Sequence, residues 1–353
     1  MVKSVILIRR DNIGDLVCTT PVIRALKAKY PEIKIGLLVN SYNAEAVRNN
    51  PDVDEVFVWE KEKHSSDKGV LRVALGNLNL IRRVRARKFE AAVGCSYSYS
   101  KRLERYTFLT GSGIRIGHVP GGRAASKLFY NRPVVEPDSP IHEVEAMMRL
   151  VEPLGVAGPP PPMFVRPSED EIKKALLYLK RVGLKENEGL VAMQISSRKP
   201  QNRWPRERFK ELGDMIQGKS GLRVILLWAP GTGANALHPG DDEKADWLIS
   251  SMEKRPLVYR TETLSELIAA MSLSGAVVTC DGGAMHIAAA LGKPVLTIWG
   301  STDRKRWAPW GVPHIILQKE TKFAEAVSSR EAFAAFTDLY SKASGPGTHG
   351  QGR

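Results

Sequence analysis

Short apolar runs recur along the chain, each closed by a turn and followed by a segment with helical spacing. In the first half, residues 4–9, 34–39, 55–59 and 90–94 read as strands. One helical segment runs from the turn at 10–15 to Tyr30, where Pro31 ends it, and others cover 44–49, 76–88, 101–109 and 142–155. The second half restarts the pattern, with strands at 190–195, 222–228, 277–280 and 295–300. Its helices are expected at 169–181, 205–217, 242–252 and 264–273, and a further small-residue helix follows Asp281 and is closed by Gly292. Strands alternating with helices at this spacing predict parallel β-α-β units, so the expected class is α/β with a Rossmann-like layer in each half.

At 353 residues the chain is too long for one ordinary core, so two domains are expected. The run Pro159, Pro160, Pro161 and Pro162 can be neither helix nor central strand and reads as a stiff linker. The expected division is a first domain at 1–158, a Pro-rich linker at 159–168, a second domain at 169–343, and a Gly-rich, polar, disordered tail at 344–353.

Composition narrows the function. Hydrophobic residues make up 43% and charged residues 25%, the balance of a globular protein in water. No apolar run reaches membrane-spanning length, and Met1-Val2-Lys3 leads into the first strand without a signal-peptide pattern, so a cytoplasmic protein is expected. Cys18, Cys95 and Cys280 form no CxxC pair, which argues for packing residues rather than a disulfide framework or a zinc site. The net charge of +14 calls for an anionic partner. Basic runs at 82–88, 101–105 and 198–208 carry few interleaved aromatics, which favours a phosphate-rich substrate or an anionic membrane surface over nucleic acid.

Three turns carry candidate chemistry. Asp281-Gly282-Gly283 joins a strand to a helix, and such a turn offers bare amides and a helix dipole to a phosphorylated ligand at a strand's C-terminal edge. On the loop after the first strand, Asp11 and Asp15 are candidate carboxylates; Asp15 at a helix start suits a base that accepts a hydroxyl proton, or serves only as a cap. The loop Ser196-Ser197-Arg198-Lys199, continuing to Asn202-Arg203-Trp204-Pro205, could clamp a diphosphate or be an exposed basic loop. Three patterns are dismissed. Asp52-Val53-Asp54 lacks the second carboxylate cluster of a metal site, Gly231-Thr232-Gly233 lacks the third glycine of a dinucleotide fingerprint, and Ser139, His142 and Glu143 lack a nucleophile elbow.

Together these residues resemble the heptosyltransferases, glycosyltransferase family 9. The likeness spans nearly the whole chain and rests on two segments, residues 5–26 with Asn12-Ile13-Gly14-Asp15, and residues 281–303 with Asp281-Gly282-Gly283, His286 and Gly300-Ser301-Thr302-Asp303. The resemblance implies a GT-B fold, with two Rossmann-like domains whose parallel sheets face an interdomain cleft. It further implies an inverting, metal-independent transfer of heptose from ADP-heptose to a lipopolysaccharide inner-core acceptor, with no cofactor. Asp15 would be the catalytic base, and Asn12 and Gly14 would bind acceptor. Ser196, Ser197, Lys199, Arg203, Asp281, Gly282, Gly283 and His286 would bind the donor. The implied partners are a nucleotide sugar, a phosphorylated glycolipid and the inner membrane surface held by electrostatics, with no nucleic acid; the enzyme would sit on that membrane's cytoplasmic face. Departures from the family pattern are Gly282, where Thr or Ser is frequent, and Asn202, where Lys is usual. The family's ribose-binding glutamate has no clear counterpart after Trp228, where residues 231–240 intervene and Glu243 matches poorly. The same fold with another nucleotide sugar or a protein acceptor, or a non-catalytic nucleotide-binding protein, are the alternatives.

Overall fold

Val5, Ile6, Leu7 and Ile8 have no solvent exposure, and the strand they form, β1 (Ser4–Ile8), is buried on both faces, as a central strand of a parallel sheet must be. The computed structural model describes residues 2–60, 70–121, 129–234 and 240–343; the expected tail at 344–353 lies outside them. Two compact units divide the chain: the first runs to Val165 and takes in Lys305–Trp307, and the second holds Arg166–Arg304 and resumes at Ala308.

In the first unit β1 is followed by α1 (Ile13–Val17), α2 (Thr20–Lys29), β2 (Lys34–Asn40), α3 (Glu45–Arg48), β3 (Glu55–Trp59) and α4 (Val70–Ala86). Then come β4 (Ala91–Gly94), α5 (Lys101–Leu109), β5 (Ile114–Val119), β6 (Arg132–Val135) and α6 (Glu143–Arg149). The six strands pair in parallel in the order β3-β2-β1-β4-β5-β6. Strand order reverses between β1 and β4, and their C-terminal ends open the crevice where α/β sheets take ligands.

The second unit begins with α7 (Glu169–Arg181), β7 (Leu190–Gln194), α8 (Arg206–Lys219), β8 (Arg223–Leu227), α9 (Asp242–Ser251), β9 (Leu257–Val258) and α10 (Leu264–Ser272). It continues with β10 (Ala276–Cys280), α11 (Gly283–Ala290), β11 (Val295–Trp299), β12 (His314–Gln318) and α13 (Ser329–Ala343), while the short α12 (Arg304–Trp307) between β11 and β12 carries Lys305–Trp307 of the first unit. Its sheet is also parallel, β12-β11-β10-β7-β8-β9, with the reversal between β7 and β10. Both units are thus α/β Rossmann-like layers, as expected. Trp204, Phe209, Leu212 and Phe336 pack under β7, β8, β10 and β11 to form this unit's core. Among the described residues no helix is long and apolar enough to cross a membrane.

Several boundaries differ from the sequence reading. The first expected helix is two helices: Pro21 has no N–H to continue α1, while the Thr19 and Thr20 hydroxyls donate to the carbonyls of Asp15 and Val17 that the break leaves open. The helix expected over 142–155 ends at Arg149, and Pro153 falls in a separate 3₁₀ turn closed by Gly155 at φ 81°. Strands β5, β6, β9 and β12 and helix α13 were outside that reading. β6, β9 and β12 lie at or near sheet edges, where burial is partial and the apolar run is broken or brief.

Gly300, just after β11, meets the loop that begins at β7. A Cβ there would stand 2.2 Å from the Gln201 carbonyl oxygen and 2.6 Å from Asn202 Oδ1. Gly300→Ala is therefore expected to cost about 1–3 kcal/mol through overpacking, read as a lowered midpoint in denaturant; a wild-type midpoint would contradict this approach.

Candidate functional site

The loop leaving β1 carries its polar residues into the first unit's switch point. Arg9 is 2% exposed and its guanidinium is divided among neighbours: Nη1 donates to the Cys95 carbonyl at 2.7 Å, and Nη2 donates to both Asp15 Oδ1 and Glu143 Oε1 at 2.7 Å. Asp15 Oδ2 accepts from the Asn12 backbone N–H and from Asn12 Nδ2, both at 3.0 Å. Burial alone would raise the Asp15 carboxyl pKa, but the Arg9 charge and the Asn12 bonds outweigh it and hold the group below its ordinary value. The side chain keeps 14% of its surface exposed, so an ionised carboxylate edge remains open. Asp11, on the same loop, bonds to Arg102 at 3.2 Å. Asn12 is exposed and committed to holding Asp15; Gly14 is buried in α1.

Glu143 is absent from the expected site residues, and the structure gives it a central place. It is 0% exposed at the start of α6, accepts from Arg9 on one oxygen, and on the other accepts from Arg306 Nε at 2.9 Å. The Arg306 guanidinium also lies 3.9 Å from the Tyr97 ring centroid. In the sequence its only signal was an acidic residue at a helix start beside His142, whose side chain caps Val144 N–H.

At the second unit's switch point, Asp281 and Gly282 lead from β10 into α11 with Gly282 at the N-cap, and an added Cβ on Gly282 would meet nothing within 4 Å. Asp281 Oδ2 accepts from Asn202 Nδ2 at 2.7 Å and from the Thr302 hydroxyl at 2.6 Å, while Asn202 Oδ1 accepts from Gly300 N–H at 3.0 Å. Burial raises the Asp281 pKa, and the bonds from Thr302 and Asn202 and the charge of Lys199 only partly offset it. Ser197 Oγ donates to the Asp281 carbonyl at 3.2 Å, so the two loops are joined. Lys199 is exposed; Gly283 opens α11, and His286 is buried within its first turns.

The remaining expected donor residues face the end of β8. Ser196 Oγ accepts from Ala229 N–H at 2.9 Å, and Arg203 forms an ion pair with the buried Asp241. Arg203, Asp241, Glu243 and Lys244 line a cavity of about 350 Å³. Burial lowers the Lys244 pKa; its Nζ donates to the Ile195 and Trp204 carbonyls at 3.0 and 2.8 Å. Asp241 and Lys244 join Glu143 as residues the motifs did not reveal, because their partners lie far away in the chain, while Thr302 belongs to a quoted motif but its bond to Asp281 was not foreseen.

The dismissed patterns have other employment. Asp54 pairs with Lys27 and Lys34 and accepts from Ile35 N–H, so it ties β2 to the turn before β3. All three cysteines are buried; burial pushes the Cys280 thiol up to about 11 and the Cys95 thiol to about 12, too high for a thiolate nucleophile at neutral pH. Among the described residues no three His, Cys, Asp or Glu side chains stand together as a metal site.

Comparison with known proteins gives a consistent picture. A sequence model of glycosyltransferase family 9 (heptosyltransferase) matches residues 78–334, which includes the Asp281 loop and begins after Asp15. The chain is 25% identical over 300 residues to lipopolysaccharide heptosyltransferase 3 of Escherichia coli (strain K12), covering 84% of this chain and 82% of the relative. Its fold is similar to a glycosyl transferase family 9 structure from Veillonella parvula, with TM-score 0.81, 21% identity and coverage of 96% and 97%. It is also similar to E. coli heptosyltransferase WaaC with ADP-2-deoxy-2-fluoro heptose, with TM-score 0.72, 18% identity and coverage of 95% and 99%. At these identities the two structures speak to fold alone.

Replacing Asn202 by leucine removes the amide that serves both Asp281 and Gly300. The variant Asn202→Leu is expected to lose about 1–3 kcal/mol for each group left unsatisfied, measured by denaturant unfolding. Unchanged stability would mean that the two loops hold together without it.

Proposed function

This chain belongs to glycosyltransferase family 9, the heptosyltransferases, and on that premise we propose that it moves heptose from ADP-heptose to a lipopolysaccharide inner-core acceptor, with inversion and without a metal ion. The observation that carries the reading is the Asp15 carboxylate, partly exposed at the switch point and held ionised by Arg9 and Asn12. In the proposed step an acceptor hydroxyl oxygen attacks the anomeric carbon on the face opposite the diphosphate. Its proton passes to Asp15, and the bond from the anomeric carbon to the ADP oxygen breaks. A carboxylate of depressed pKa is a modest base, so it takes the proton late, after bond formation has made the hydroxyl acidic.

The donor is assigned to the second unit. There the N–H groups of Gly282 and Gly283 at the start of α11, with the exposed Lys199 and Arg198, supply positive potential for the departing diphosphate. The open space at Gly282 means that this chain makes that contact through backbone where a hydroxyl could also have fitted. The donor assignment is supported by the ADP-2-deoxy-2-fluoro heptose in the WaaC structure, and the acceptor class by the name of the K12 relative. Arg82, Arg83, Arg85, Arg87 and Lys88 are exposed on and after α4, which supports a peripheral position on the cytoplasmic face of the inner membrane beside the phosphorylated glycolipid.

Removing the base should cost roughly 10²–10⁴ in turnover. Asp15→Asn is thus expected to lose that much kcat with ADP-heptose and truncated inner-core acceptors while binding ADP as before in calorimetry. Near-normal turnover by the folded variant would overturn the assignment. Because the Asp15 pKa lies below its ordinary value, the group is deprotonated at neutral pH, and the rate should show no loss attributable to it until the pH falls below the ordinary carboxylate range. For the membrane position, cosedimentation with vesicles containing anionic lipid should weaken as salt rises; binding that ignores salt, or no binding at all, would count against it.

A further inference from the structure

Glu143 is an acid withdrawn wholly from water, and the burial of a carboxylate is unfavourable unless other groups offset it. Two guanidiniums do so, Arg9 at 2.7 Å and Arg306 at 2.9 Å, the latter on the Lys305–Trp307 segment that belongs to the first unit. The same Arg9 nitrogen that donates to Glu143 donates to Asp15, so the two carboxylates sit a few ångströms apart on one shared cation. We propose that Glu143 is a positioning residue for the transfer: it fixes the Arg9 fork against Asp15 and offsets the positive charge that Asp15 faces. This rests on the reading of Asp15 as the base.

The argument is one of charge balance. Without Glu143, only the partly exposed Asp11, 3.5 Å from Arg9 Nε, would share the Arg9 charge with Asp15, with Arg306 behind it, and an additional cationic field depresses a carboxylate's basicity. A weaker base accepts the hydroxyl proton less well, so Glu143 keeps Asp15 ionised but still basic. Among the described residues, other groups that face this cluster are Asp11 with its partner Arg102, the amide of Asn12, the Met147 thioether on α6, the Tyr97 and Trp307 rings, the thiols of Cys18 and Cys95, and the buried His118 of β5, whose pKa burial lowers. Burial pushes both thiols above their ordinary values, so they stay neutral and add no charge at working pH. Asp11 is 29% exposed and divides its charge between Arg9 Nε at 3.5 Å and Arg102 at 3.2 Å, which leaves Glu143 as the fully buried anion in the balance.

The test uses the full chain labelled with carboxyl-¹³C aspartate, the Asp15 signal being assigned by its loss in Asp15→Asn. The fraction of Asp15 protonated at pH 4 is compared among wild type, Glu143→Gln, Glu143→Asp and the double variant Arg9→Gln/Glu143→Gln. The double variant removes both buried charges together and so guards against simple misfolding. Glu143→Gln should lower the protonated fraction and reduce kcat roughly three- to tenfold at unchanged KM, with Glu143→Asp restoring most of it. The double variant should move the Asp15 midpoint up by about one pH unit or more. A Glu143→Gln protein with wild-type protonation, or one whose activity falls only in step with its thermal stability, would overturn the proposal. If the protonated fraction shifts as expected while Asp15→Asn keeps its turnover, the reading of Asp15 as the base fails and the charge balance stands.

Discussion

A guanidinium with 2% exposure at the end of a central strand is the constraint on which the first unit's site depends. Such a charge persists in the interior only if it is closely compensated, and the two terminal nitrogens of Arg9 donate to the carbonyl after β4, the carboxylate of α1 and the carboxylate of α6, while its Nε lies 3.5 Å from Asp11 Oδ2. Those three segments are separate in sequence, and the cation draws them to one point at the switch between β1 and β4. Arg9 therefore acts as a local organiser of the loops as well as the counter-charge that keeps Asp15 ionised.

The second unit meets the same topological problem with neutral groups. Asp281 leaves β10 at the corresponding reversal of strand order, but its carboxylate is held by an amide and a hydroxyl instead of a guanidinium. The two aspartates are accordingly pushed in opposite directions, Asp15 below and Asp281 above the ordinary carboxylate value. Asn202, a departure from the family's usual lysine, finds its physical explanation here. A neutral amide can serve Asp281, Thr302 and Gly300 at once, whereas an ammonium has no acceptor to offer the Gly300 N–H.

Glycosyltransferase family 9 was legible in the primary sequence because its two signature turns are local: Asp15 is fixed by a residue three positions away, and Gly282 and Gly283 by the strand and helix that flank them. Central strands were legible for a related reason. Buried on both faces, they carry unbroken apolar runs, as in Val5 to Ile8, whereas the edge strand β12 shows intermediate burial and a mixed pattern. The loop at 196–204 was recognised as one unit but serves two places, with Ser197 turned to Asp281 while Ser196 and Arg203 attend to Ala229 and Asp241 at the end of β8.

By itself the sequence determined the α/β class, the two Rossmann-like layers and the positions of the turns that carry Asp15 and Asp281, since periodicity and turn chemistry act over a few residues. Tertiary structure alone decided the electrostatics. The Arg9–Glu143 contact joins residues 134 positions apart, and the Asn202–Asp281 bond spans 79. Whether a carboxylate is raised or lowered depends on which distant cation or amide the folded chain brings against it, and no local pattern encodes that.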